Sequence, residues 1–185
     1  MQIFKETDRI LLRELLPSDK EAMFEMDSDP EVHKYLWQNP ITSMEEAEAT
    51  IAFVRAQYVD HGIGRWAIVE KESNQFIGWG GLKLITSPIN GHVNFYDVGY
   101  RLLRRFWGKG YATESAKLAV EYAFEQLHAK AVYAMADPNN LSSRNALQKT
   151  GLQINGHCDY EGLKCDWFEL SRENWLMNKG VAKTI

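Results

Sequence analysis

Arg105-Phe106-Trp107-Gly108-Lys109-Gly110-Tyr111-Ala112 joins two segments of different periodicity. Upstream, Asn94-Phe95-Tyr96-Asp97-Val98-Gly99-Tyr100-Arg101-Leu102 is rich in aromatic and β-branched residues and reads as a strand. Downstream, Ala112, Ser115, Ala116, Ala119, Val120 and Ala123 recur at helical spacing, the small apolar face of a helix laid closely on a sheet. A strand therefore delivers the chain into a glycine-bearing turn that opens a helix. The first N–H groups of that helix have no intrahelical partner, and the helix dipole adds partial positive charge there. Gly108 and Gly110 let the backbone approach a ligand without a Cβ in the way, and Arg101, Arg104, Arg105 and Lys109 surround the same turn. The combination is an anion site suited to phosphate.

Two common phosphate motifs do not fit. A P-loop needs Gly-x-x-x-x-Gly-Lys-Ser/Thr, which nothing here supplies. A dinucleotide fingerprint follows the first strand and ends in Gly or Ala, whereas Gly108-Lys109-Gly110-Tyr111-Ala112-Thr113 ends in Thr and comes after several earlier strands. A third pattern, Arg/Gln-x-x-Gly-x-Gly/Ala, is met by Arg105, Gly108 and Gly110.

The 185 residues suit one domain, 1–185, long enough to bury a core. A hydrophobic content of 45% with 25% charged residues is ordinary for a soluble globular protein. No apolar run approaches the ~18 residues of a membrane span. Met1-Gln2-Ile3-Phe4-Lys5-Glu6-Thr7-Asp8 lacks the basic-then-apolar layout of a signal peptide, so a cytoplasmic protein is expected. The net charge of −4 argues against a general nucleic-acid binder. Two cysteines are too few for a disulfide scaffold or a cysteine-built zinc site, and His61, His92, His128 and His157 show no metal-ligand spacing. His33 on a short helix is expected at the surface.

In chain order, Thr7–Leu15 reads as a strand closed by Pro17-Ser18-Asp19, where Ser18 or Asp19 caps a short helix. Asp29-Pro30-Glu31 starts a second helical piece through Leu36. Thr42 or Ser43 caps a longer helix, Met44 to about Tyr58, with Ala47, Ile51, Val54 and Tyr58 as its stripe. Trp66–Glu70 and Gln75–Leu82 form a hairpin, then come the 94–102 strand, the central helix and a short strand at Ala131–Ala136. A helix from about Ser142 to Thr150, a hairpin of Leu152–Tyr160 with Leu163–Leu170, and a helix through Trp175 finish the chain. This order implies an α/β fold of the α+β type, a mixed sheet flanked by helices.

With that order in view, the chain resembles the GNAT superfamily of N-acetyltransferases over nearly its whole length. Arg105-x-x-Gly108-x-Gly110 resembles the family's acyl-CoA pyrophosphate loop. Arg9-Ile10-Leu11-Leu12-Arg13 with Pro17-Ser18-Asp19 resembles the opening of the ribosomal-protein N-terminal acetyltransferase branch, the RimJ/RimL type. Val98-Gly99-Tyr100-Arg101-Leu102 resembles that branch's pantetheine-pairing strand. Pro138-Asn139-Asn140-Leu141-Ser142-Ser143 through Lys149-Thr150-Gly151-Leu152 resembles its Asn-x-x-Ser…Lys-x-Gly-aliphatic helix. The resemblance implies a sheet splayed between 94–102 and 131–136. It implies a cofactor loop of Leu102, Arg105, Gly108, Lys109, Gly110, Tyr111 and Ala112, with Asn140 on the pantetheine arm. It also implies acetyl-CoA as co-substrate, no metal, and an amine acceptor, first of all a protein N-terminus. A polyamine, aminoglycoside or amino acid is the alternative acceptor, a non-catalytic acyl-CoA-binding module the alternative role, and a monomer or homodimer the expected state.

Acetyl transfer by direct attack needs a neutral amine and a protonated leaving thiolate. Asp97, beside the slot, is the candidate base. Many relatives place Tyr seven residues after the helix-leading Asn, but here that position is Leu147; Ser143, three after Asn140, matches the RimJ/RimL branch and is the candidate beside the sulfur. Trp37, Trp66, Trp79 and Tyr35 divide between core and acceptor wall in a way sequence does not sort. If the last hairpin turns on Glu161-Gly162, Cys158 and Cys165 face each other, whereas a one-residue slip puts them on opposite faces.

Overall fold

The computed structural model describes residues 1–181. Its frame is one sheet of eight strands in the order β1-β2-β3-β4-β5-β6-β8-β7. The strands are β1 (Ile3–Glu6), β2 (Ile10–Arg13), β3 (Arg65–Glu70), β4 (Gln75–Ile85), β5 (Phe95–Leu102), β6 (Ala131–Ala136), β7 (Gln153–Tyr160) and β8 (Leu163–Ser171). Five helices flank it: α1 (Lys20–Asp27), α2 (Met44–His61), α3 (Tyr111–Glu125), α4 (Leu141–Gln148) and α5 (Arg172–Val181). This is the mixed, helix-flanked sheet expected of the GNAT-like fold.

Every neighbouring pair runs antiparallel except β5 and β6. These two are joined through α3, the long crossover that parallel strands need. Their pairing is short, covering only Tyr96↔Val132 and Asp97↔Tyr133. Beyond Asp97 the two strands diverge, so a run of β5 backbone has no neighbour on that side.

α3 lies against β4 and β5. Ser115, Ala116, Ala119 and Ala123 are fully buried and Val120 nearly so, as their spacing requires. Leu118 and Phe124 are buried as well, because other elements wrap the helix. Phe124 packs on Trp175 of α5 with ring centroids 5.0 Å apart, and its carbonyl accepts from Arg172 Nη1 at 2.8 Å.

Four expectations need correction. β1 was unforeseen; its four residues add an edge strand whose Phe4 stacks on Trp66 at 4.8 Å. The segment after Asp29 is not helical but a run of turns, with Val32 N–H on the Asp29 carbonyl and Leu36 N–H on that of His33. The chain leaves the segment through Pro40. His33 in this segment is buried, not at the surface. α2 begins as expected, with the Glu46 carboxylate accepting the Thr42 and Ser43 N–H groups, but it runs on to His61 before Gly62 caps it.

Candidate functional site

The turn between β5 and α3 sets the anion end of the site. Gly110 occupies the N-cap position at φ +85, a left-handed conformation that costs an L-residue about 1–2 kcal/mol. The Glu114 N–H makes the helix's first bond, to the Gly110 carbonyl, so the amides of 111–113 precede it. Other contacts pin the turn. The Tyr111 hydroxyl donates to Glu70, and Arg9 lies over the Tyr111 ring at 4.7 Å while donating to the Lys109 carbonyl at 3.1 Å. Arg9 also pairs with Glu114, offsetting the one carboxylate in the first turn of α3.

The cationic ring expected around this turn is not assembled. β5 turns Arg101 toward α1, where it binds Asp27 at 2.7 Å. The single turn at Arg104–Phe106 turns Arg105 onto Glu25 of the same helix. Lys109 lies over the Phe106 ring at 4.9 Å. Backbone amides and the helix end, rather than a cluster of side-chain cations, are what the turn offers an anion.

From this turn a cavity of about 740 Å³ runs through the splay and under α2. Of the residues singled out from sequence, it brings together Leu102, Gly108, Gly110, Tyr111, Ala112, Asp97, Asn140 and Ser143; the side chains of Arg105 and Lys109 do not line it. The Asn140 side chain caps α4 by accepting the Ser143 N–H at 3.1 Å. That leaves its amide N–H groups for other partners. Leu147 lines the cavity as an apolar wall, 2% exposed.

Asp97 sits where β5 and β6 part. It is buried, and its Oδ2 accepts from Arg65, whose Nη1 also donates to the carbonyls of Gly81 at 2.6 Å and Asp97 at 2.7 Å. The guanidinium lies so close over Gly99 that a Cβ there would come within 2.5 Å of it. Burial raises the Asp97 carboxyl above the ordinary range, with Arg65 and Lys83 pulling the other way.

Strand register sorts the remaining side chains. Directly opposed residues share a face, and so do alternate residues along a strand. Arg65 opposes Gly81, Trp79 opposes Arg101 and Lys83 opposes Asp97, so all five of these side chains lie on the face turned toward α1 and α2. Val98, Tyr100 and Leu102 point the other way. Trp66 is fully buried core, whereas Trp37, Trp79 and Tyr35 line the cavity. The Trp37 indole N–H donates to the Glu161 carbonyl at 3.2 Å and its ring meets Tyr160 edge-on, tying the 30–37 turns to the last hairpin.

Sequence reasoning passed over two residues here. Tyr100 donates to the Ser143 carbonyl at 2.9 Å and lies 3.2 Å from Ser143 Oγ, and burial pushes its phenol up to about 12. Lys83 lines the cavity with its ammonium pKa lowered by burial and by Arg65. Lys83 is marked by the strand register that sets it opposite Asp97, and the contact of Tyr100 with Ser143 across 43 positions leaves no trace in local pattern. Among the described residues no group of three or more His, Cys, Asp and Glu could hold a metal ion, and no helix is long and apolar enough to cross a membrane.

The family model for the acetyltransferase (GNAT) domain matches residues 9–153. The chain belongs to the GNAT family. It is 31% identical over 159 residues to p20, an uncharacterized N-acetyltransferase of Bacillus licheniformis, covering 85% of this chain and 87% of that protein. It is 30% identical over 193 residues to the FsC-acetyl coenzyme A-N(2)-transacetylase of Aspergillus fumigatus, covering 96% and 80%. Among solved structures, RimL, a ribosomal L7/L12 alpha-N-protein acetyltransferase in complex with coenzyme A, superposes with a TM-score of 0.76 over 92% of this chain and 98% of its own, at 17% identity. The protein is an N-acetyltransferase that uses acetyl-CoA and acts on amines. Its residues suit that co-substrate: helix-end amides for a pyrophosphate, and an unpaired strand edge for an amide-bearing arm.

Proposed function

We propose that the enzyme acetylates the α-amine of a peptide or protein N-terminus, as the RimJ/RimL type does. The observation that carries this is the state of Asp97, committed to Arg65 at the foot of the slot. Acetyl-CoA supplies the activated acyl group, and the acceptor must arrive as a neutral amine. Burial makes Asp97 a stronger base than a free carboxylate, while Arg65 opposes that rise and occupies one of its oxygens. Removing a proton from a lysine-type ammonium near 10.4, rather than an α-amine at about 7.7–8.0, costs roughly 3.5 kcal/mol more at neutral pH. An α-amine is already partly neutral. Asp97 then needs only to accept the proton shed as the amine is acylated, for which its Oδ1 has no other donor among the described residues.

In this reading the 108–112 backbone holds the pyrophosphate and the free edge of β5 pairs with the pantetheine arm. The Asn140 amide steadies that arm from the cap of α4, and the Ser143 hydroxyl donates a hydrogen bond to the departing sulfur. A serine hydroxyl is too weak an acid to protonate a thiolate outright, so Ser143 lowers the barrier by stabilising charge. Lys83 on the acceptor side, where Arg65 and Arg101 are already paired with carboxylates, disfavours a polycation, which sets spermidine-like acceptors second.

The test is thiol release from acetyl-CoA at pH 7 with a peptide panel, spermidine and Nα-acetyl-lysine. A kcat/KM for peptide α-amines at least about tenfold above the other two is expected, from the difference in neutral fraction. Faster turnover of spermidine or the lysine ε-amine would overturn the assignment.

A further inference from the structure

Each of the other cations on the sheet face of the acceptor cavity has its anion. Arg65 is spent on Asp97 and two carbonyls, and Arg101 on Asp27. Lys83 is different. It stands directly across β4–β5 from Asp97, yet Asp97 is taken by Arg65, and Lys83 makes no hydrogen bond or ion pair among the described residues. Its side chain is half-buried and lines the cavity beside Trp79 and Tyr160. A partly desolvated ammonium is costly unless it is paired, and Asp97 and Glu161 favour the Lys83 charge only through space, with no hydrogen bond or ion pair to it. Here the nearby guanidinium adds to the cost, and its effect and that of burial both run against the charged form. The other charges at this cavity do not supply a partner: Glu31 and Lys34 are exposed at its rim, and Asp137 is turned to the N–H groups of Asn139.

We infer that Lys83 is a carboxylate subsite for the acceptor, so that the preferred substrate is a primary amine carrying an acid group close to the amine. This deepens the proposed function, on which it rests for the identity of the bound molecule as an amine acceptor. A carboxylate on the acceptor supplies the direct ion pair that Asp97 and Glu161 do not make. Trp79, with Arg65 and Arg101 over its ring at centroid distances of 5.6 and 4.9 Å, lines the same cavity and adds apolar surface beside Lys83. Two sources present this chemistry: the main-chain carboxylate of a free amino acid, or an acidic side chain at the start of a peptide.

Binding, rather than turnover, decides the matter. Calorimetry with coenzyme A present compares acetylated products in two arms. One sets N-acetyl-alanine against its amide; the other sets acetyl-Ala-Asp-Ala-amide against acetyl-Ala-Asn-Ala-amide. On the wild type the acid binds at least about tenfold more tightly than its neutral isostere in one arm, in line with hydrogen bonds to charged groups. The arm that shows this identifies the source. In Lys83→Met the ratio falls to about one, and in Lys83→Arg it is retained. The thermal shift given by coenzyme A checks that each variant is folded. Equal binding of acid and amide in both arms, or a preference that persists in Lys83→Met, overturns the inference. Thiol release with the unacetylated forms is read separately. If these amines turn over no faster than spermidine while the binding preference holds, the α-amine assignment is refuted and the Lys83 subsite stands.

Discussion

The Tyr100–Ser143 contact separates two roles that a single mutation would confuse. Tyr100 donates to the Ser143 carbonyl and sits 3.2 Å from its hydroxyl. With the phenol pushed up to about 12, passing its proton to a thiolate of pKa ~8.5 is uphill by roughly 3.5 units, about 5 kcal/mol. Tyr100 is therefore not the acid but a positioning residue, which anchors the start of α4, and with it the Ser143 hydroxyl, through the Ser143 carbonyl. Losing one neutral hydrogen bond is worth about 0.5–1.5 kcal/mol, so Tyr100→Phe should lower kcat by about 2- to 13-fold with little change in acetyl-CoA KM. The Ser143 carbonyl keeps its helix partner in α4, so losing the phenol's bond costs about 0.5–1.5 kcal/mol, or about 1–6 °C in Tm for a chain of this size. A double-mutant cycle with Ser143→Ala divides these effects, since alanine keeps the carbonyl and discards the hydroxyl. The Tm losses should persist in the Ser143→Ala background, while kcat of the double variant should equal that of Ser143→Ala. A further drop in kcat when Tyr100→Phe is added to Ser143→Ala would show that Tyr100 acts on its own and refute the reasoning.

Other outcomes follow from single features. Coenzyme A at ~100 times its Kd should stabilise the fold by about 2.7 kcal/mol, and Gly110→Glu, which brings charge and a Cβ to a φ of +85, should abolish that shift in a thermal melt; an undiminished shift would remove the turn from the binding site. His33 is held neutral, its pKa lowered first by burial and then by Arg101, so it contributes stability above pH 6.5 that is lost as pH falls through its depressed folded value. Between pH 7 and 5 the Tm of the wild type should fall more steeply than that of His33→Asn, and parallel curves would contradict this. Cys158 and Cys165 do face each other across the Glu161-Gly162 turn, but burial first and Cys158 second push the Cys165 thiol up to about 12. With about one thiolate in ten thousand at pH 8, mild oxidation should leave the intact mass unchanged for hours, and a prompt 2 Da loss would show the pair to be redox-active.

Much of this was written in local pattern. The small-residue stripe from Ala112 to Ala123 requires a helix close on a sheet, and the glycines at 108 and 110 require its unusual start. The hairpin register followed from the turn, since Glu161 and Gly162 both take positive φ, the mirror-image turn that two-residue loops prefer. That register holds from Tyr160↔Leu163 to His157↔Asp166 and then slips before Ile154↔Phe168, with Gly156 at positive φ between them. The slip depends on how β7 fits β8, and no motif in either strand announces it.

What pattern did not reveal is how charge is shared among elements distant in sequence. Four cations near the turn read as one cluster because they are close in the chain, yet the fold sends Arg101 and Arg105 to two different carboxylates of α1. The same accounting explains Lys83. Asp97 has two cationic neighbours on its face, one reaching it from across β4 on β3 and the other directly opposite on β4. Arg65 wins because its fork can hold the carboxylate and two carbonyls at once, where an ammonium makes a point contact. Lys83 is thus left unpaired as a consequence of what stabilises Asp97. If that ordering is right, Arg65→Lys should let Lys83 compete for Asp97 and weaken any preference for acidic acceptors, although Arg65 lies on a different strand from both.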